Sequence, residues 1–332
     1  MNNRITDLLS FCSRVDFGIV PLSREEESFR VELNREMLLF CEYLPKSMQT
    51  KSVLFFMEYL HASFNENLNF VKYFYTPAWS ILFWLHRSCP DNKKLGSKHM
   101  RNAKTGHIMA MFLHAFDDHL SDGQLSVTHM ALLLRSQSWM IMNRAFERLA
   151  KAVEGGPAIV RNFIDDYYSS IGTSEATDSL DGYCSLFRKQ MATWLIVPIL
   201  LARRVHPEGE FSQSVQSAYT SFGIAWRLLD DLQDLDKDIA KGVHSSIYAC
   251  LDEDWKILWD KAVRERTGRQ RGFAQDVLNG VLQNKVIDRI LERTCCELES
   301  AASIADACGM PGFGHELRSL MKPLTNESRC LC

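Results

Sequence analysis

The sequence predicts an all-α chain, a single large helical bundle over residues 1–332 whose centre is an apolar cavity. Three observations predict it. Glycine and proline are scarce, at 17 and 9 of 332 residues, so few positions break a helix. Strict alternation of β-branched and polar residues is almost absent, so no strand is indicated. Apolar residues recur instead at three- and four-residue steps over long stretches. The balance of 38 basic to 41 acidic residues, net −3, holds no excess to neutralise phosphates, which disfavours a nucleic-acid partner. With 46% hydrophobic and 24% charged residues the chain has enough apolar surface to fold, so disorder is excluded as its main state.

The periodic segments follow in order. Phe70 to Arg87 is the first, closed by Cys89-Pro90-Asp91-Asn92. Met100 to Leu120 is the second, with Ile108, Met111, Phe112, Ala115 and Phe116 on its apolar face. Val127 to Val153 ends at Gly155-Gly156-Pro157, which also starts the next helix. Tyr183 to Arg204, Ser214 to Lys237, Phe273 to Glu297 and Leu298 to Cys308 complete the series. The basic run Arg266 to Gly272 reads as a solvated connection, with a diphosphate lid as its functional alternative. Trp194 to Ala202, the most apolar short run, contains Pro198 and is too short to span a bilayer. The ten cysteines form no C-x-x-C pair, and the first 25 residues lack a signal-type apolar core. Reduced thiols and a cytoplasmic location are therefore expected. Cys330-Leu331-Cys332 reads as a frayed terminus rather than a lipidation signal.

Two acidic segments carry the chemistry. Asp117, Asp118 and Asp122 close an apolar helix, with Asp118 and Asp122 on one face and Asp117 about 100° round. Acidic residues there oppose the helix macrodipole, so stability alone does not select them. In the second segment Asp230, Asp234 and Asp238 step by four into a carboxylate stripe, with Asp231 beside them. Oxygen donors of this kind suit Mg²⁺, Mn²⁺ or Ca²⁺. Carboxylates, divalent ions and an apolar cavity together suit a substrate with a diphosphate head and a hydrocarbon body. Asp165-Asp166 lacks a third partner and reads as surface; His114 and His119 receive no role.

With these residues in place, the sequence resembles the class I isoprenoid synthase superfamily, the trans-prenyl diphosphate synthases and class I terpene synthases. Gly223, Trp226, Asp230, Asp231 and Asp234 fall on the second aspartate motif of the prenyl synthases, and Asp238 on a further acidic position. The run Asp238 to Tyr248 also resembles theirs, and the 0, 4, 8 spacing of Asp230, Asp234 and Asp238 matches the terpene synthase metal motif. The resemblance covers about Lys98 to Leu251. It implies three Mg²⁺ ions, Mn²⁺ being possible, held by Asp117, Asp118, Asp122, Asp230, Asp231, Asp234 and Asp238. It also implies a diphosphate held by Arg188, Lys189, Arg227 and Lys241. Asp117, Asp118, Asp230, Arg227 and Lys189 are the implied catalytic set.

Phe112, Phe116 and Trp226 are implied to contact the substrate. Trp79, Trp84 and Trp194 are further aromatic candidates, and for each of the six core filling is the favoured reading. The chain departs from elongating synthases in lacking an arginine pair after Asp122 and a glycine-glycine-lysine-arginine segment, and its first motif ends one position late. The leading expectation is accordingly a terpene synthase acting on one C15 or C20 prenyl diphosphate. The alternatives are a prenyltransferase and a non-catalytic partner of the same fold. Leu113 and Phe112, five and four positions before Asp117 in reverse order, lean towards a short chain such as C15. A homodimer is a further expectation of the resemblance, as is a prenyl diphosphate partner with no membrane span.

Overall fold

The computed structural model describes residues 2–66, 68–171, 177–264 and 272–327. Residues 266–271 of the basic run and the terminal Cys330-Leu331-Cys332 lie outside them. Among the described residues there are sixteen α-helices, one 3-10 turn and no strand. The first half holds α1 Asn2–Cys12, α2 Arg24–Glu42, α3 Lys46–Tyr59, α4 Thr76–Ser88, α5 Ser97–Ser121, α6 His129–Ala150, α7 Gly156–Ile171 and α8 Leu180–Gln190. The second holds α9 Ala192–Val205, α10 Glu210–Gln233, α11 Leu235–Lys241, α12 Ser246–Cys250, α13 Glu253–Arg264, α14 Gly272–Gln283, α15 Val286–Ala307 and α16 Pro311–Glu327.

The helix with the most apolar sequence sits deepest. Every residue of α9 from Ala192 to Ala202 is buried, so the most apolar run is a central core helix. Pro198 lies inside it, where it removes one backbone donor from the helix ladder. Around it stand α4, α5, α6, α7 and α10, with α15 packed outside α10 and α16 against α15 and α4. One contiguous apolar core runs from Ile5 to Leu324. No helix among the described residues is long and apolar enough to cross a membrane.

Three expected helices are corrected. The segment from Phe70 begins its helix only at Thr76, because Pro77 is tolerated in a first turn and not further in. Tyr183 to Arg204 is two helices, parted at Met191. No glycine or proline marks that break. Met191 is fully buried there, and its Sδ and Cε occupy the space where a Cβ on Gly223 would stand, 2.4 Å away. Ser214 to Lys237 is also two helices, with Asp234 as the joint between α10 and α11. The boundary expected between Glu297 and Leu298 falls at Asn284 and Lys285 instead, where Lys285 has a positive φ of 49°.

Candidate active site

Both acidic segments end their helices at the same end of the molecule. Asp118 lies in the last turn of α5, with Asp122 as its C-cap; Asp230 lies in the last turn of α10, with Asp234 as its C-cap. Lys241, from the last turn of α11, spans the gap: its Nζ is 3.2 Å from Asp122 Oδ2. The two carboxylate segments therefore face one another. Between them opens a cavity of about 430 Å³. Asp118, Asp230 and Arg227 stand at its polar end. Its body is aromatic, with Phe112, Phe187, Trp194 and Trp226 from the helices and Phe70, Tyr73, Phe74 and Tyr75 from the segment before α4.

The electrostatics of the polar end follow from crowding. Burial pushes Asp230 up to about 6; Arg227 opposes this, while Asp231, Asp234 and Asp118 reinforce it. Asp238 is buried and pushed up to about 7, mainly by burial and by Asp231. Asp118 is raised in the same way, with Asp122 and Asp234 adding to burial and Arg227 opposing. A cluster that resists ionising, first because it is buried and then because its charges repel, is relieved by a cation. The donors are all carboxylate oxygens, the chemistry that suits Mg²⁺. Among the described residues no three carboxylate, histidine or cysteine side chains converge as a ready metal cage. That is compatible with Mg²⁺, which is usually held by one or two carboxylates and completes its shell with water and substrate phosphate. The residues present fit the ion.

Arg227 is the fixed point of this end. Its Nε donates to the Tyr183 hydroxyl at 2.8 Å and lies 3.1 Å from Asp231 Oδ1. Its Nη1 is 3.3 Å from Asp230 Oδ2. Asp231 is only 1% exposed, and it also accepts from the Tyr183 hydroxyl at 3.1 Å and from the Ser246 N–H at 2.8 Å. These bonds tie α8, α10 and α12 together behind the guanidinium.

The implied site residues thus divide. Asp118, Asp230, Arg227, Phe112 and Trp226 line the cavity, and Trp194 with them. Asp122 and Asp234 lie one turn beyond as helix caps, held by Lys241 and Lys237. Asp117 points elsewhere: both its oxygens accept from Arg135 of α6, at 2.6 and 2.9 Å. Asp118 and Asp122, four apart, share one face of the helix end, and of the two only Asp118 lines the cavity. Asp231 is engaged internally, and Asp238 is buried in α11 off the lining. Arg188 and Lys189 are exposed on α8 and do not line the cavity; the helical period turns Tyr183 and Phe187 inward instead. Phe116 and Trp79 are fully buried off the lining, and Trp84 hydrogen-bonds Glu316.

Other lining residues escaped sequence reasoning. Tyr59 of α3 bonds His119 Nδ1 at 2.9 Å, and both face the cavity. His61, His114 and Gln233 also line it. One signal was available: Phe70, Tyr73, Phe74 and Tyr75 place four aromatics within six residues just before a proline.

The likeness to solved structures is extensive. A polyprenyl synthase from Caulobacter crescentus CB15, solved with calcium and isoprenyl diphosphate, matches with a TM-score of 0.65 at 11% identity, covering 90% of this chain and 95% of that one. A geranylgeranyl pyrophosphate synthase from Corynebacterium glutamicum ATCC 13032 gives 0.65 at 14% identity, covering 97% and 98%. The chain has the isoprenoid synthase fold. A Corynebacterium glutamicum synthase solved with isoprenyl diphosphate and magnesium gives 0.57 at 13% identity, covering 91% and 99%. No protein-family model matches the chain, and no curated protein matches its sequence.

Proposed function

We propose that this chain is a divalent-metal-dependent prenyltransferase, which ionises an allylic prenyl diphosphate and passes the prenyl group to an acceptor. The observation that carries this reading is the pair of carboxylate-bearing helix ends facing each other over an aromatic cavity, with Arg227 at the seam. The structural neighbours that bind isoprenyl diphosphate with calcium or magnesium support it. Asp118, Asp122, Asp230 and Asp234 would hold the ions, which supply positive charge to the departing diphosphate. Arg227, on the cavity lining, would donate to diphosphate oxygens, with Tyr183 and Asp231 holding its Nε. The faces of Phe112, Trp194 and Trp226 can each stabilise an allylic cation by about 0.5–2 kcal/mol. The same walls keep water from the cation.

One observation favours a second reading, cyclisation or rearrangement of a single prenyl diphosphate by a terpene synthase. Arg227 is the sole lysine or arginine of the described cavity lining, which suits one diphosphate better than two. Incubating the protein with Mg²⁺ and geranyl, farnesyl or geranylgeranyl diphosphate, with and without isopentenyl diphosphate, separates the two. Product that requires the acceptor supports transfer. Hydrocarbon or alcohol from one diphosphate alone supports the second reading. No diphosphate release from any of them refutes both.

A further inference from the structure

One imidazole in the aromatic wall is used by none of the roles above. His114 lies on α5, one turn before Asp118, and its ring lines the cavity. Its ring meets Trp194 edge-on at 4.9 Å between centroids and Phe187 at 6.3 Å. Those ring contacts are its only direct ones; no hydrogen bond joins either nitrogen to another described residue. Burial, aided by the Arg227 guanidinium, pushes its pKa down to about 4, so the ring is neutral at physiological pH. The ring is only part-buried, standing in the cavity wall between Phe187 and Trp194. A polar ring without a hydrogen-bond partner among the described residues, in an otherwise aromatic wall, is a chemical feature of the cavity.

We propose that His114 is the proton acceptor that ends the reaction. The assignment rests on the prenyl-cation reading of the cavity. Addition of the cation to a carbon–carbon double bond, in an acceptor or in its own chain, leaves a new carbocation. A C–H bond beside that centre breaks, and its electron pair closes a double bond. The proton goes to a lone pair on the His114 ring, and the positive charge moves from carbon to imidazolium. The ring then returns the proton to the released diphosphate or to solvent. A carbocation surrenders its neighbouring proton to bases far weaker than imidazole, so a depressed basicity does not disable the step. The other cavity histidines are placed less well: His119 Nδ1 is occupied by Tyr59, and His61 is exposed at the mouth.

The test compares wild type with His114→Ala, His114→Phe and His114→Gln. Diphosphate release and product composition, by gas chromatography with mass detection, are measured with Mg²⁺ and the three prenyl diphosphates, with and without isopentenyl diphosphate. In the variants the share of the wild-type olefinic product is expected to fall at least tenfold, with water-captured alcohols rising. Added imidazole should restore that product in His114→Ala, where space is left, and not in His114→Phe. His114→Gln keeps a polar group in the wall and should show the same loss. Wild-type product composition in His114→Gln, or failure of imidazole to rescue His114→Ala, overturns the assignment while leaving the functional reading intact. A wild-type chain that releases no diphosphate overturns both.

Discussion

At the scale of single residues, the carboxylates at the cavity are held against their own charge. Asp230 titrates near 6 instead of the ordinary 3.8, so the folded chain retains a proton that the unfolded chain has lost. The stability tied to that proton is complete below about 3.8 and disappears as the pH rises through about 6. Asp230→Asn removes the titration. At neutral pH it should raise Tm while lowering diphosphate release at least 100-fold, as thermal melts and a diphosphate assay will show. A lower Tm would contradict the repulsion described here. Asp117 gives the contrasting prediction. Since Arg135 occupies both its oxygens, Asp117→Asn should weaken that ion pair and spare most turnover, whereas Asp118→Asn should abolish it. Equal losses in the two would place Asp117 in the machinery.

At the scale of elements, the site depends on how closely α8, α9 and α10 approach. Gly223 leaves room for Met191 at the α8–α9 joint, and a Cβ there would stand 2.4 Å from its Sδ. Gly223→Ala should destabilise by about 1–3 kcal/mol through overpacking, and Met191→Ala should recover part of it in the double variant. Denaturant titration of the four chains measures the coupling. The Asp231 network is the other joint. Asp231→Asn should lower stability by about 1–3 kcal/mol and raise KM more than it lowers kcat, since it frees Arg227 without removing it. The aspartate spacing and the apolar stretches leading into it were legible because both are local, repeating at the helical period. The breaks at Met191 and Asp234 were not. Nothing in the chain near Met191 disfavours a continuous helix; the reason for the break lies across the core, on α10.

At the scale of the whole molecule, a second acidic pair closes the fold away from the cavity. Glu316 of α16 is 2% exposed; it accepts from Ser80 at 2.5 Å and from Trp84 Nε1 at 2.6 Å, and it hydrogen-bonds Glu26 of α2. Burial and the hydrogen bond from Glu26 raise Glu316 well above the usual carboxyl range, which favours its protonated form in the fold. The stability it contributes is full at acid pH, below the unfolded glutamate value, and is lost as pH rises through its raised value. Glu316→Gln should therefore flatten the fall of Tm with alkalinity. A steeper fall would contradict a shared proton. Nearby, the Gly18 N–H donates to the Leu320 carbonyl at 2.9 Å, and a Cβ on Gly18 would press on the Ser319 carbonyl at 2.1 Å. The segment between α1 and α2, with α2 and α4, is thus tied to the last helix over sequence separations that no local pattern reveals.

The sequence by itself determined the helical class, the apolar character of the run that becomes α9 and the two acidic helix ends, because spacing along one helix settles which side chains share a face. Only the tertiary structure decided which of those side chains meet. Asp117 turned to Arg135, Arg188 and Lys189 turned to solvent, and Asp231 became the brace of Arg227. In their place the fold brought Tyr59, His114, His119 and the aromatic segment before α4 to the cavity. The physical reason is one of range. Helical periodicity fixes direction within an element, but the partner each face receives depends on packing between elements far apart in the chain.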